Sequence, residues 1–404
     1  LKELFNKNKS LTISAILLII IVGLYFSRAM ISIGTGLLGF IALVDFQKDK
    51  LKKLLKSPYL IYLFTYLLYL LSFFYTQNFA VLKQLLFLQL SFIIIPFFFS
   101  QQQITKKQID FILKVFVIVT SLVCLGTLIS FFNNYTLNKQ MIINAKAIPA
   151  ITGIIHYQFA FLIVIAIICS YILIQNKNQK SKIFWSIILV FLIATIHILA
   201  YRTGLFCLYI LIFYHFIKLL IEEKNTKKVV VFCLVFITII TLSGLFIKPL
   251  NLKLTATKSD ISRIINHENY NDHSIAQRYA ATLNSLEIIK KNFWFGVAPA
   301  DLGDEMKSQY EINSYLLVPE NRVFIHNQYL YYLSSFGILA FLIWIFLWFK
   351  NLFISIKKYQ FLAYLILLAS ATFLIDDFFQ IQIGFTGFLL FYYLLYQRES
   401  VDVL

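Results

Sequence analysis

Apolar residues run along this chain in blocks, each close to the length that crosses a bilayer, with short polar breaks between them. The blocks fall at 11–26, 29–46, 58–75, 80–100, 109–132 and 153–174, then at 183–200, 204–221, 229–247, 327–349, 360–376 and 381–396. About 20 helical residues cross a hydrocarbon core of roughly 30 Å, and a spanning segment must satisfy its own backbone hydrogen bonds. The pattern predicts an all-α integral membrane protein of about twelve transmembrane helices. One long polar stretch, Lys248 to His326, separates the ninth helix from the tenth. The chain thus divides into 1–247 with helices one to nine, a large partly helical loop over 248–326, and 327–404 with helices ten to twelve and a short tail.

Inside that loop the spacing predicts a helix over 274–291. Ser274-Ile-Ala-Gln277 has the form of a capping box, and Ile275, Tyr279, Leu283, Leu286 and Ile289 recur at helical spacing as its apolar face. Lys290 and Lys291 would close the last turn, where cations complement the helix dipole. A weaker helix is expected near 302–314, and 250–273 reads as irregular.

Composition agrees with the block pattern. Of 404 residues, 60% are hydrophobic and 14% charged, against roughly 25% charged in a soluble domain. The net charge of +17 would suit nucleic acid if the basic residues were clustered on a soluble face. Instead they alternate. If both termini are cytoplasmic, inner segments hold twenty Lys and Arg, and the short outer loops hold four: Arg28, Lys139, Lys146 and Arg202. That bias fixes the orientation, puts 248–326 outside the cytoplasm and excludes nucleic acid as a partner. The Lys-rich start followed by apolar residues from Leu11 reads as a first membrane helix, not a cleaved signal. Four cysteines, all within apolar blocks and without a Cys-x-x-Cys pair, argue against disulfides and a thiolate metal site.

Chemistry has few candidates. Arg202 sits between two apolar blocks on the side the basic residues avoid. A snorkelling interface charge is its ordinary reading, but its placement against the charge bias points to use. Arg278 lies one turn into the expected loop helix, where a solvated charge would be unremarkable. His326, followed by Asn327 and Tyr329, stands where the chain re-enters the membrane. An imidazole there can take a proton near neutral pH. Two permanent cations suit a phosphate or diphosphate. The acids Asp301, Asp304, Asp376 and Asp377 remain as partners for an Arg or a sugar hydroxyl, or as solvated charges. His267 and His273 flank Glu268 and Asp272, but at a spacing that fits no metal motif; no metal and no cofactor is expected.

Tyr201-Arg202-Thr203-Gly204, Gln277-Arg278-Tyr279, Asn292-Phe-Trp-Phe-Gly296-Val-Ala-Pro-Ala-Asp301 and His326-Asn-Gln-Tyr-Leu330 occur in that order. Over about 200–350 the chain resembles the O-antigen ligase and O-antigen polymerase superfamily of bacterial membrane glycan transferases. The resemblance implies transfer of a glycan from undecaprenyl diphosphate to a hydroxyl on lipid A–core, at the periplasmic face of the inner membrane, without metal. It implies that His326 is the base and that Arg202 and Arg278 hold the diphosphate, with Asn327 and Tyr329 at the substrate. The His-Asn-Gln-Tyr-Leu entry and the single large loop favour ligase over polymerase; a ligase acting on protein is a variant of the same chemistry. A lipid-linked glycan transporter is the reading from another class, and the absence of repeated halves argues against it. No oligomeric state is implied. One departure is Ala298, where relatives often carry glycine, which puts the turn geometry there in question.

Overall fold

The computed structural model describes residues 2–143, 146–175, 178–222, 230–231, 234, 238, 241 and 248–403. Among them the chain is helical, with no strand. The first helices are α1 (Lys2–Phe26), α2 (Arg28–Val44), α3 (Ser57–Leu71), α4 (Phe79–Leu88), α5 (Ser91–Gln101), α6 (Lys106–Asn133) and α7 (Tyr135–Ile143). Then come α8 (His156–Ile174), α9 (Gln179–Ile198), α10 (Arg202–Glu222), α11 (Lys248–Ile265), α12 (Ser274–Lys291) and α13 (Leu302–Ile312). The chain closes with α14 (Gln328–Lys358), α15 (Gln360–Phe373) and α16 (Gln382–Val403).

Eight helical stretches among the described residues are long and apolar enough to cross a membrane, and α2 and α15 are shorter apolar helices. The protein is a multi-pass membrane protein. The span expected at 229–247 lies almost wholly outside the described residues. Burial sorts the bundle: most of α8 is enclosed, whereas little of α9 and α10 is. A helix apolar all round and buried all round belongs at the centre, and one with an exposed apolar face belongs at the rim.

Two interruptions of helical geometry shape the end of the bundle that carries 248–326. The first is in α14, whose 31 residues would run about 46 Å if straight. It breaks at Gly337, with φ 71° and ψ 178°. The loop 293–298 lies against this break: Val297 N donates to Ser334 O (2.9 Å), Ala298 N to Ser335 O (3.0 Å) and Ile338 N to Phe293 O (2.9 Å). Contact is so close that a Cβ on Gly337 would stand 2.3 Å from the Trp294 carbonyl oxygen, and one on Gly296 2.4 Å from the Ser335 carbonyl carbon. Ala298 has φ 71°, the left-handed region that glycine occupies freely. The turn that the missing glycine put in question therefore forms, with alanine in a glycine conformation.

The second interruption follows α15. Fourteen residues reach about 21 Å, short of a full crossing, and residues 374–381 continue as a turn holding one short 3-10 helix, Phe378–Gln380. Protein encloses this break between helices: Asp376, Phe378 and Phe379 are fully buried.

The 248–326 segment corrects three expectations. Residues 250–265, expected to be irregular, belong to the helix Lys248–Ile265, and only 266–273 are irregular. The helix expected over 274–291 is present as α12, but without a side-chain cap from Ser274. Its first turn is satisfied by Asp260 instead, whose Oδ2 accepts from Ile275 N at 3.0 Å. Finally, α12 buries Ala276, Ala280, Ala281, Ile288 and Ile289, and leaves Tyr279 and Leu286 exposed. Small residues allow the closest approach, and that decided which face turned inward.

Candidate active site

Arg202 opens α10. Ahead of it Ala200 takes φ 49°, and Tyr201 is anchored by its hydroxyl to Ile148 O at 2.9 Å. Two residues on, a Cβ at Gly204 would meet Ile196 Cδ1 at 2.5 Å and Ala160 Cβ at 2.8 Å. The Tyr-Arg-Thr-Gly sequence thus lets α10 press against α8 and α9 with the guanidinium at its tip. Arg202 donates from Nη1 to Thr257 Oγ1 at 3.1 Å.

Arg278 projects from α12 toward the turn after α15. Its Nη1 donates to Ile375 O at 3.0 Å, and its Nη2 lies 3.6 Å from Asp376 Oδ1. Arg202 and Arg278 line one cavity of about 290 Å³, together with His156, Tyr201, Lys253 and Ile375.

His326 is not a wall of that cavity; it joins the site through Asp376. Its Nδ1 is 3.0 Å from the same Asp376 Oδ1 that faces Arg278. An ionised carboxylate only accepts, so the proton of a neutral imidazole belongs on Nδ1, which leaves Nε2 as the basic nitrogen. Asp376 is fully buried, and its Oδ2 makes no hydrogen bond. Beside it, burial pushes the Asp377 carboxyl up to about 6; His326 pulls it down and Asp376 pushes it further up.

The motif that carries His326 is fastened residue by residue to the 370–379 stretch. Asn327 Nδ2 donates to Leu374 O at 3.1 Å, Gln328 Oε1 accepts from Phe379 N at 2.7 Å, and Tyr329 Oη donates to Ser370 O at 3.2 Å. Asn327 also caps α14 through Leu330 N at 3.0 Å. Asn327 and Tyr329, expected at the substrate, make these bonds and, like His326, are not among the residues lining the arginine cavity. They hold His326 in place.

Sequence reasoning missed the contributions of His156, Lys253, Thr257 and Asp260. The last three fell in the stretch read as irregular, and helical periodicity would have put them on one face. It also left Asp376 undecided between partner and solvated charge; the buried turn decides it. Of the doubtful metal quartet, His273 is taken by Asp260, 2.7 Å away. His326, Asp376 and Asp377 each offer a ligand atom, all within 4.8 Å of one another. That donor set fits a small divalent cation, although Arg278 already brings a positive charge to Asp376.

The site can therefore bind an anion between guanidinium groups and take a proton at an oriented imidazole. No curated protein matches the chain. Residues 147–345 match the family model described as O-Antigen ligase, a stretch that includes Arg202, Arg278 and His326 and stops before Asp376. That match, over just under half of the chain, supports the O-antigen ligase superfamily for residues 147–345.

Proposed function

We propose that the protein is a ligase that moves a glycan from undecaprenyl diphosphate to a hydroxyl on lipid A–core, forming lipopolysaccharide at the periplasmic face of the bacterial inner membrane. The observation that carries this reading is the chain of contacts from the two-arginine cavity through Arg278 and Asp376 to His326. Both termini are then cytoplasmic and 248–326 periplasmic, as the distribution of twenty inner against four outer basic residues supports.

In the reaction, His326 Nε2 takes the proton of the acceptor hydroxyl as its oxygen attacks the anomeric carbon. The bond from that carbon to the diphosphate oxygen breaks, and its electron pair leaves with the diphosphate. Arg202 and Arg278 offset the charge that develops there. Asp376 stabilises the imidazolium across Nδ1, and no metal is required.

The test is the glycan profile of cells lacking the protein. Long chains left on undecaprenyl diphosphate, with bare lipid A–core, identify the ligase. Single repeat units on the core identify a polymerase, and an unglycosylated protein acceptor a protein ligase. An unchanged glycan profile overturns the whole reading and leaves the transporter. Wild type restores the product and His326→Ala does not.

A further inference from the structure

Helix α11 encloses two of its charges: Lys253 and Asp260 are 4% and 1% exposed, while Leu254, Ile261 and Ile265 are 49%, 47% and 69% exposed; Lys258 stays on the outer face and Leu250 on the inner one. A helix that only covered the bundle would face the other way, and charges so enclosed are rare without partners. Lys253, Thr257 and Asp260 lie at i, i+4 and i+7, one face of the helix, and that face is turned to the arginine cavity, which Lys253 lines.

Lys253 forms part of the cavity wall, and Thr257 and Asp260 brace the groups around it. Lys253 Nζ donates to Lys146 O at 2.8 Å. Thr257 Oγ1 donates to Lys253 O at 2.9 Å and accepts from Arg202. Asp260 holds His273 and the first turn of α12, the helix that carries Arg278. One face of α11 thereby steadies both arginines and adds a third cation.

We infer that Lys253 is a third cationic contact for the donor diphosphate, placed to take the charge that appears when the glycan leaves. The inference rests on the function proposed above. In the intact donor each phosphate is a diester with one ionised oxygen. When the anomeric C–O bond breaks, the outer phosphate becomes a monoester and gains further negative charge. Two arginines match the charge of the donor; the ammonium matches the charge of the leaving group. The charged and titratable groups facing Lys253 are Arg202 of α10, Arg278 of α12, His156 of α8 and Asp260 of its own helix. Burial foremost, then Arg202, lowers the Lys253 ammonium to about 8, partly offset by Asp260. The free protein would therefore lose this cation at mildly alkaline pH.

The experiment compares wild type, Lys253→Gln and Lys253→Arg in proteoliposomes, using a lipid-diphosphate-linked glycan as donor and inorganic pyrophosphate and phosphate as probes. Lys253→Gln should lower kcat/KM for the donor by on the order of tenfold, leave KM for the acceptor unchanged, and weaken pyrophosphate inhibition similarly. Wild-type kcat/KM should fall above pH 8; Lys253→Arg should stay flat, since guanidinium remains charged. Unchanged donor kinetics and pyrophosphate inhibition in Lys253→Gln would overturn the inference, as would a wild-type alkaline limb that Lys253→Arg shares. Stabilisation of the protein by pyrophosphate in thermal melts reads the site without catalysis. If wild type transfers no glycan yet loses that stabilisation in Lys253→Gln, the proposed function fails and the anion site stands.

Discussion

The carboxylate of Asp376 meets two partners with one oxygen: Oδ1 is 3.0 Å from His326 Nδ1 and 3.6 Å from Arg278 Nη2. The group that orients the base thus also touches a group assigned to the leaving diphosphate. Asp376→Asn should keep the shape of the turn but lose the fixed tautomer and the stabilised imidazolium. We expect kcat to fall by about a hundredfold or more, with KM for the donor little changed. Steady-state kinetics of the purified variant check this; a selective rise in donor KM would assign Asp376 to binding instead.

Arg278 divides its two terminal nitrogens between the Ile375 carbonyl and Asp376. Lysine offers a charge without that fork. Arg278→Lys should therefore raise donor KM and lower kcat together, whereas a pure charge requirement would leave both near wild type.

Asp377 carries a stability signature. Its folded carboxyl is raised to about 6 by burial, above the unfolded range near 3.9. Ionisation therefore penalises the fold above both values, and the penalty fades as pH falls from 6 toward 4. Asp377→Asn should melt higher than wild type at pH 7 and converge with it near pH 4. A constant difference across that range would show that the charge is not the cause.

The interlock of Gly296 with Gly337 leaves no room for a methyl group. Gly337→Ala should cost about 2–5 kcal/mol, from backbone strain and overpacking together. Ala298→Val should also destabilise, because a β-branched residue resists positive φ, while Ala298→Gly should be tolerated. Detergent melts of the three variants decide it.

A divalent ion at His326, Asp376 and Asp377 is the arrangement that would displace the base. Glycan transfer should proceed at the same rate in excess chelator. Loss of activity restored by magnesium or manganese would convert the dyad into a metal site.

The blocks of apolar residues made the membrane class plain, because a stretch near 20 residues has few other uses. Arg202, Arg278 and His326 were legible from topology alone, since it set them at one end of the bundle. The role of Asp376 was not, because a short α15 and a buried turn are invisible to hydropathy. Lys253 and Asp260 were hidden for a different reason. Sequence reading expects apolar residues inside and charged ones outside, and α11 reverses that rule at Lys253 and Asp260. The sequence also did not show that Asn327 and Tyr329, expected at the substrate, brace the His326 motif through bonds to Leu374 and Ser370.

The reversed faces of α11 bear on what 248–326 is as an object. Cut from the bundle, it would strip Lys253 of the Lys146 carbonyl that helps make its burial tolerable. Arg278 would lose Ile375 and Asp376, and the 293–298 loop would lose the broken helix it pairs with. The segment is long enough to pass for a domain, yet it is the lid of a box whose walls are membrane helices. A fragment expressed by itself would have neither an inside nor an outside to fold around.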